Sequence, residues 1–365
     1  MLHSERDINM GKNEIKYALA LGGGGARGAF EAGVWRALCR LGIKISAVAG
    51  TSVGAVNGAA FAAGADAEEL WKSIEIKDIV KLPHETDNLL SINGILSLLQ
   101  SSFSGGLDTE PFRQLINHII PEDSVRNSEI DFGLCTYSAQ AKKPIELFIE
   151  DIPCGQLTDY ILASACFPMF KPKIIDGEEF SDGGIRNNLP VNMLISRGYN
   201  TIISVSVRGI GMLCDFDECG ANIIEIKSPH GGAGLMDFKK ASISESIKTG
   251  YIECMKAFGA LGGSTYAFEK SSYDAAVMKY GKALVENLES AAKLLDISPF
   301  KVYTFESLAE SVLDLYPSNS KIKHMIDFIE NNPDNPLREK LDLLGESFKI
   351  ASTIAYLKKS MQQTK

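Results

Sequence analysis

The chain has 365 residues, 45% of them hydrophobic and 23% charged. That length suits an α/β core with an extension, or two domains, and the apolar content is enough for a sizeable core. With 37 basic against 46 acidic residues and a net charge of −9, nothing pulls it generally toward DNA or anionic membranes, which argues against a nucleic-acid partner.

The opening MLHSERDINMGKNEIK lacks the apolar core of a signal peptide. Residues 16–21 (KYALAL) form a short apolar run that stops at Gly22–Gly25, which predicts a buried strand entering a glycine-rich loop. From Ala29 to Leu41 the spacing of Phe30, Val34, Leu38 and Leu41 predicts a helix, with Gly42 as its stop. Ile45–Ala49 reads as the next strand, then GTSVG and an Ala-rich helix to about Ala63. Strand, loop, helix, strand, turn and helix within about 50 residues predict a mainly parallel α/β sheet. The most apolar long stretch, Ile43–Gly64, is interrupted by Gly50, Gly54, Gly58 and Gly64, so it predicts no bilayer span.

Residues 67–120 read as helical, with a dense apolar cluster of Leu89, Leu90, Ile92, Ile95, Leu96, Leu99 and Phe103. That cluster is either ordinary packing or a lid that touches a lipid surface. Thr109 is placed to cap a helix that has Pro111 in its first turn. Strands are expected near 131–137, 145–149, 173–180, 201–207 and 223–226, with a helix at 190–197. Beyond residue 256 three stripes predict a helical extension. They are Leu284, Leu288, Ala291 and Leu295; Leu308, Val312 and Leu315; and Ile322, Met325, Ile326 and Ile329. The expected division is 16–255 for the hydrolytic domain and 256–365 for an extension of unassigned role.

Seven cysteines (Cys39, Cys135, Cys154, Cys166, Cys214, Cys219 and Cys254) include no C-x-x-C pair. Buried, reduced thiols in a cytoplasmic protein are the expectation, although export without a signal peptide stays open. The pair Cys214 and Cys219 in an acidic loop is a weak metal candidate; no metal and no cofactor is the expectation.

Three motifs carry chemistry. Gly50-Thr51-Ser52-Val53-Gly54 is a G-x-S-x-G between a strand and a helix, as a nucleophile elbow requires. A turn serine is the plain alternative. The run Gly22–Gly28, GGGGARG, can converge backbone N–H groups on a small anion because no side chain blocks approach. Its rival reading is a dinucleotide loop, but no acid lies between Glu31 and Asp66 to bind ribose hydroxyls. Arg27 in that run either braces the loop through a carboxylate or meets a substrate phosphate. The third motif is Asp182-Gly183-Gly184, by itself an ordinary turn. It matters because Ser52 needs a base. Of the five histidines only His230, in Ser-Pro-His-Gly-Gly, has a loop context for catalysis. Ser52, Asp182 and His230 would follow α/β-hydrolase order, but that fold places its elbow after more strands than precede Ser52.

Together these pieces resemble the patatin-like phospholipase family, with its glycine-rich G-G-G-x-[RK]-G loop, G-x-S-x-G and later D-G-[GA]. The chain supplies Gly23-Gly24-Gly25-Ala26-Arg27-Gly28, the elbow at Ser52 and Asp182-Gly183-Gly184 in that order. Residues 163–172, ASACFPMFKP, look like the family's segment upstream of the aspartate. The resemblance implies a three-layer α/β/α fold and lipid acyl-ester hydrolysis of the phospholipase A or lysophospholipase kind. It implies Ser52 as nucleophile and Asp182 as proton acceptor without histidine. It also implies an oxyanion hole from Gly23, Gly24, Gly25 and Gly28 with Arg27, joined by the N–H of Val53 after the nucleophile. Efficient base work would need the Asp182 pKa raised, which Phe167, Pro168, Met169 and Phe170 would achieve if they exclude water from the site. The implied partner is a phospholipid or other lipid ester, with transient membrane contact. The competing classes are a silent scaffold that engages a partner through its extension and an acyl transferase.

Overall fold

The computed structural model describes residues 15–81, 106–209, 211–214, 218–229, 234–332 and 345–362. The cluster from Leu89 to Phe103 and His230 lie outside the described residues. In chain order the elements begin with β1 (Tyr17–Leu21), α1 (Ala29–Leu41), β2 (Ile45–Thr51) and α2 (Val53–Ala62). There follow α3 (Glu110–Ile119), β3 (Asp131–Ser138), β4 (Lys143–Phe148), α4 (Leu157–Ser164), β5 (Lys173–Ile175) and β6 (Glu178–Asp182). Next come α5 (Val191–Ser196), β7 (Thr201–Ser206) and β8 (Asn222–Lys227). The chain divides into two compact units: residues 1–25, 42–67 and 76–225, and residues 26–41, 68–75 and 226–365.

The first unit is built on an eight-stranded sheet. Strands β1, β2, β3 and β7 run parallel to their neighbours among themselves, while β4 and β6 pair antiparallel with β3, and β5 with β6. The sheet is thus mostly parallel at its centre. Its central strands are apolar on both faces, as a sheet covered on two sides requires: Ala18, Leu19, Ala20 and Leu21 of β1 are all fully buried. One face packs Ala18, Ala20, Ala47, Ala49 and Ile202 with Val191, Met193 and Leu194 of α5. Small residues in the strands let that helix sit close.

The register of β3 positions the site. Its residues 133–138 pair with β4 along one edge. A strand has only two edges, so β2, opposite Asp131–Cys135, and β6, opposite Thr136–Ser138, must share the other. The last residue of β2, Thr51, lies opposite Cys135, and the last of β6, Asp182, lies opposite Thr136, the next residue along. Two strands distant in sequence therefore end side by side on one edge of a third.

Sequence expectations and structure differ at several points. The apolar run read as one strand at 173–180 is a hairpin, because Asp176 and Gly177 both take positive φ and turn the chain. The α3 helix begins after Thr109, but the Thr109 side chain caps nothing; Asp108 Oδ1 accepts the Glu110 N–H at 2.9 Å instead. None of the seven cysteines is in a disulfide, yet Cys39, Cys154, Cys214 and Cys219 are exposed and only three are buried.

The second unit holds the long helices α6 (Lys240–Ala257), α7 (Lys270–Tyr280), α8 (Lys282–Leu294), α9 (Phe305–Leu315), α10 (Ser320–Asn331) and α11 (Glu346–Gln362). The helical character expected beyond residue 256 is present. Leu288, Ala291, Leu308, Val312, Ile322, Ile326 and Ile329 enter one core with Ile354 and Leu357 of α11, whereas Leu315 is exposed. Within this unit α1 crosses α6 at two glycines: a Cβ on Gly33 would lie 2.0 Å from the Ile247 carbonyl oxygen, and one on Gly250 1.9 Å from that of Phe30. The buried Glu289 carboxylate of α8 accepts the N–H groups of Ser264, Thr265 and Tyr266 and the Ser264 hydroxyl, which fixes that loop. Among the described residues no helix is long and apolar enough to cross a membrane.

Candidate active site

Ser52 sits between the end of β2 and the start of α2 with φ 57° and ψ −123°. A non-glycine residue rarely holds this conformation, which costs on the order of 1–3 kcal/mol and persists only where the surroundings enforce it. The neighbours do so. A Cβ on Gly50 would lie 2.1 Å from the Gly54 carbonyl oxygen, and one on Gly54 2.4 Å from that of Leu21, so neither position admits a larger residue. The Ser52 N–H donates to Ser164 Oγ at 2.9 Å, and the Ser164 hydroxyl donates to the Cys135 carbonyl at 2.6 Å. Thr51 Oγ1 donates to the Asn187 carbonyl at 2.8 Å. These bonds tie the elbow to α4, β3 and the segment after Asp182.

Asp182 ends β6, 7% exposed, with its N–H donated to the Cys166 carbonyl at 3.0 Å. Its Oδ1 accepts the Gly184 N–H at 2.7 Å, and the neighbouring Ser52 side chain is close enough to act on the charge of its carboxylate. The glycines after it let the turn close: a Cβ on Gly183 would meet the Cys135 carbonyl oxygen at 2.3 Å, and one on Gly184 the Asp182 Oδ1 at 2.9 Å. Burial pushes the Asp182 pKa up to about 6; the Ser52 hydroxyl and the Gly184 N–H oppose it by stabilising the charge. The direction is what base chemistry by an aspartate needs. The segment after Cys166 is not core: Phe167, Met169 and Phe170 are half-buried and Pro168 is exposed. Ser52 itself is only half-buried, so its hydroxyl can be reached while its partner stays dry.

The glycine loop departs from expectation at one position. The Gly23 N–H already donates to the Asn188 carbonyl at 3.0 Å, so it is unavailable to a substrate. Gly23 instead provides close approach, since a Cβ there would lie 3.1 Å from Ser52 Cβ and 2.4 Å from Asn188 Oδ1. The N–H groups of Gly24 and Gly25 have no acceptor among the described residues; nor has that of Val53, which opens α2. Arg27 and Gly28 belong to the second unit. The described histidines, His118 and His324, are exposed, and no group of metal-ligating side chains occurs among the described residues.

Two residues escaped the reading of the sequence. Ser164 lies within the ASACFP segment, and nothing local marks a serine that will meet the elbow 112 residues away. Asn188 is buried against the glycine loop and carries no local signal beyond following the aspartate's turn.

Residues 19–195 match the sequence model of the family described as Patatin-like phospholipase. The chain is 30% identical over 193 residues to patatin-like phospholipase domain-containing protein 7 of Rattus norvegicus, covering 52% of this chain and 13% of that protein. It is 31% identical over 202 residues to an uncharacterized NTE family protein of Mycobacterium bovis, covering 54% of this chain and 51% of that one. The matched region thus spans about half or less of these relatives. Among solved structures the chain is similar to VipD of Legionella pneumophila, with 14% identity, a TM-score of 0.41 and coverage of 94% and 90% of the two chains. Residues 19–195 therefore form a domain of the patatin-like phospholipase family.

Proposed function

We propose that the chain hydrolyses carboxylic esters of lipids, in the manner of a phospholipase A or lysophospholipase, through Ser52 and Asp182. The observation that carries this reading is that β2 and β6 end side by side on one edge of β3, with Ser52 one residue beyond the first and the buried Asp182, its pKa pushed up to about 6, at the end of the second. Near neutral pH Asp182 is then mostly ionised, and a stronger base than an exposed aspartate. As Ser52 Oγ attacks the ester carbonyl carbon, its proton passes to Asp182 and a tetrahedral oxyanion forms. The N–H groups of Gly24, Gly25 and Val53, which have no acceptor among the described residues, are the proposed donors to that oxyanion. Arg27 and Gly28 complete the proposed loop by sequence motif alone. Collapse of the intermediate breaks the bond to the alcohol, which leaves with the proton from Asp182, and Ser52 is left acylated. Water, deprotonated by Asp182, attacks the acyl carbon; fatty acid departs and the proton returns to Ser52.

Residues 16–255 are proposed as the hydrolytic domain, 256–365 as a helical extension of unassigned role, and the cytoplasm as the place of action. The test is mass spectrometry of phospholipids and lysophospholipids incubated with wild-type, Ser52→Ala, Asp182→Asn and His230→Ala proteins. Fatty acid release by the wild type and the histidine variant, with loss in the other two, is expected. Loss in His230→Ala comparable to that in Ser52→Ala would replace the dyad with a triad. A wild type that releases nothing from any lipid would point to a silent scaffold.

A further inference from the structure

We infer that Asn188 is a positioning residue that holds the oxyanion loop in its competent orientation; the inference rests on the hydrolase reading above. Asn188 grips Gly23 from two sides. Its carbonyl accepts the Gly23 N–H at 3.0 Å, and its side-chain Nδ2 donates to the Gly23 carbonyl at 3.3 Å. No cis peptide occurs among the described residues, so the Gly23–Gly24 peptide is trans, and its C=O and N–H point in opposite directions. Holding the Gly23 carbonyl on Asn188 therefore turns the Gly24 N–H away from Asn188, free for a developing negative charge.

That orientation is not self-enforcing. Successive glycines have little conformational preference, and a peptide between two of them can flip at small cost. A flip would exchange donor for acceptor and present a carbonyl oxygen where the oxyanion forms. Two features oppose it. Asn188 is itself fixed, buried and with its N–H donated to the Met212 carbonyl at 2.8 Å. The strand-end loop after β7 also lies against the same carbonyl: a Cβ on Gly209 would come within 1.7 Å of the Gly23 oxygen. Gly209 and Asn188 thus close on one peptide oxygen from different segments.

Asn188→Leu tests this directly, because leucine is nearly isosteric but offers the Gly23 carbonyl no donor and adds no charge near Asp182. Expected is a fall in kcat of about 10²-fold, the usual cost of one oxyanion donor, with KM and the pH midpoint of kcat/KM unchanged. A trifluoromethyl ketone, which adds to Ser52 as an oxyanion, should lose affinity by the same factor. Wild-type kcat in the variant, or lost activity with inhibitor affinity intact, would overturn the inference. A second measurement needs no variant: in wild-type protein labelled with 15N-glycine, adding the ketone should move the Gly24 amide proton and leave that of Gly23 in place. An unmoved Gly24 signal in an enzyme that forms the adduct refutes the positioning role. If the wild type forms no Ser52 adduct at all, the hydrolase reading fails and this inference falls with it.

Discussion

Asp182→Asn should make the protein more stable while removing its activity, and the gain should depend on pH in a defined direction. The asparagine Oδ1 can still accept the Gly184 N–H, and the side chain keeps its size, so packing is little disturbed. What it removes is a buried charge. The folded-state pKa of Asp182 is raised from 3.8 to about 6. Well below pH 3.8 both folded and unfolded chains carry the proton and the group costs nothing. As pH rises toward 6 the unfolded chain has released its proton and the native state has not, so native stability falls. Above pH 6 the penalty is complete, and two pKa units correspond to about 3 kcal/mol. The advantage of the variant over wild type should accordingly widen by about 2 kcal/mol between pH 4 and pH 8, whatever constant offset the amide introduces. Urea unfolding followed by far-UV circular dichroism suits the measurement, because Trp35 and Trp71 both belong to the other compact unit. A gap that stays constant across this range, or that closes as pH rises, would show that the ionised carboxylate is not penalised by burial and would refute the argument.

The same titration governs turnover. Since only ionised Asp182 can accept the Ser52 proton, kcat/KM should rise with a single-proton limb near pH 6; a limb near pH 4 in a pH–rate profile would mean an unperturbed aspartate. Ser164→Ala leaves the Ser52 N–H and the Cys135 carbonyl without their partner. Denaturant titration should show a loss of about 1–3 kcal/mol, with kcat reduced as well, and unaltered stability would remove Ser164 from the elbow's support. Gly50→Ala forces a methyl to 2.1 Å from a backbone oxygen, so soluble yield should collapse; a soluble, active variant would contradict the elbow's geometry. Glu289→Gln places an amide donor among four donors from Ser264, Thr265 and Tyr266. A loss of about 1–3 kcal/mol should appear as a lower thermal midpoint, and an unchanged midpoint would show that the loop does not depend on the carboxylate.

The elbow was legible because its determinants are local: an apolar run, two glycines around a serine and an Ala-rich helix occupy residues 45–62. The helices beyond residue 256 were legible for a similar reason, periodic apolar residues along single segments. What joins Ser52 to Asp182 is not local. It is the succession of β2 and β6 along one edge of β3, a matter of register among strands far apart in sequence, and the resemblance to a family stood in for it. Gly23 shows the limit of motif reading. A glycine run announces a close backbone approach, but which N–H remains free is decided by Asn188, and no pattern within the loop encodes that. Thr109 fails in the same way on a smaller scale, since Asp108 competes for the same helix end and wins.

The account stands or falls on Ser52 being activated by Asp182. Mass spectrometry of tryptic peptides after timed exposure to an alkyl fluorophosphonate measures both halves at once. The account predicts a single adduct on the Ser52 peptide in wild type and slowing by orders of magnitude in Asp182→Asn. Labelling of Ser52 at the same rate in both proteins, or an adduct on another residue, would contradict it.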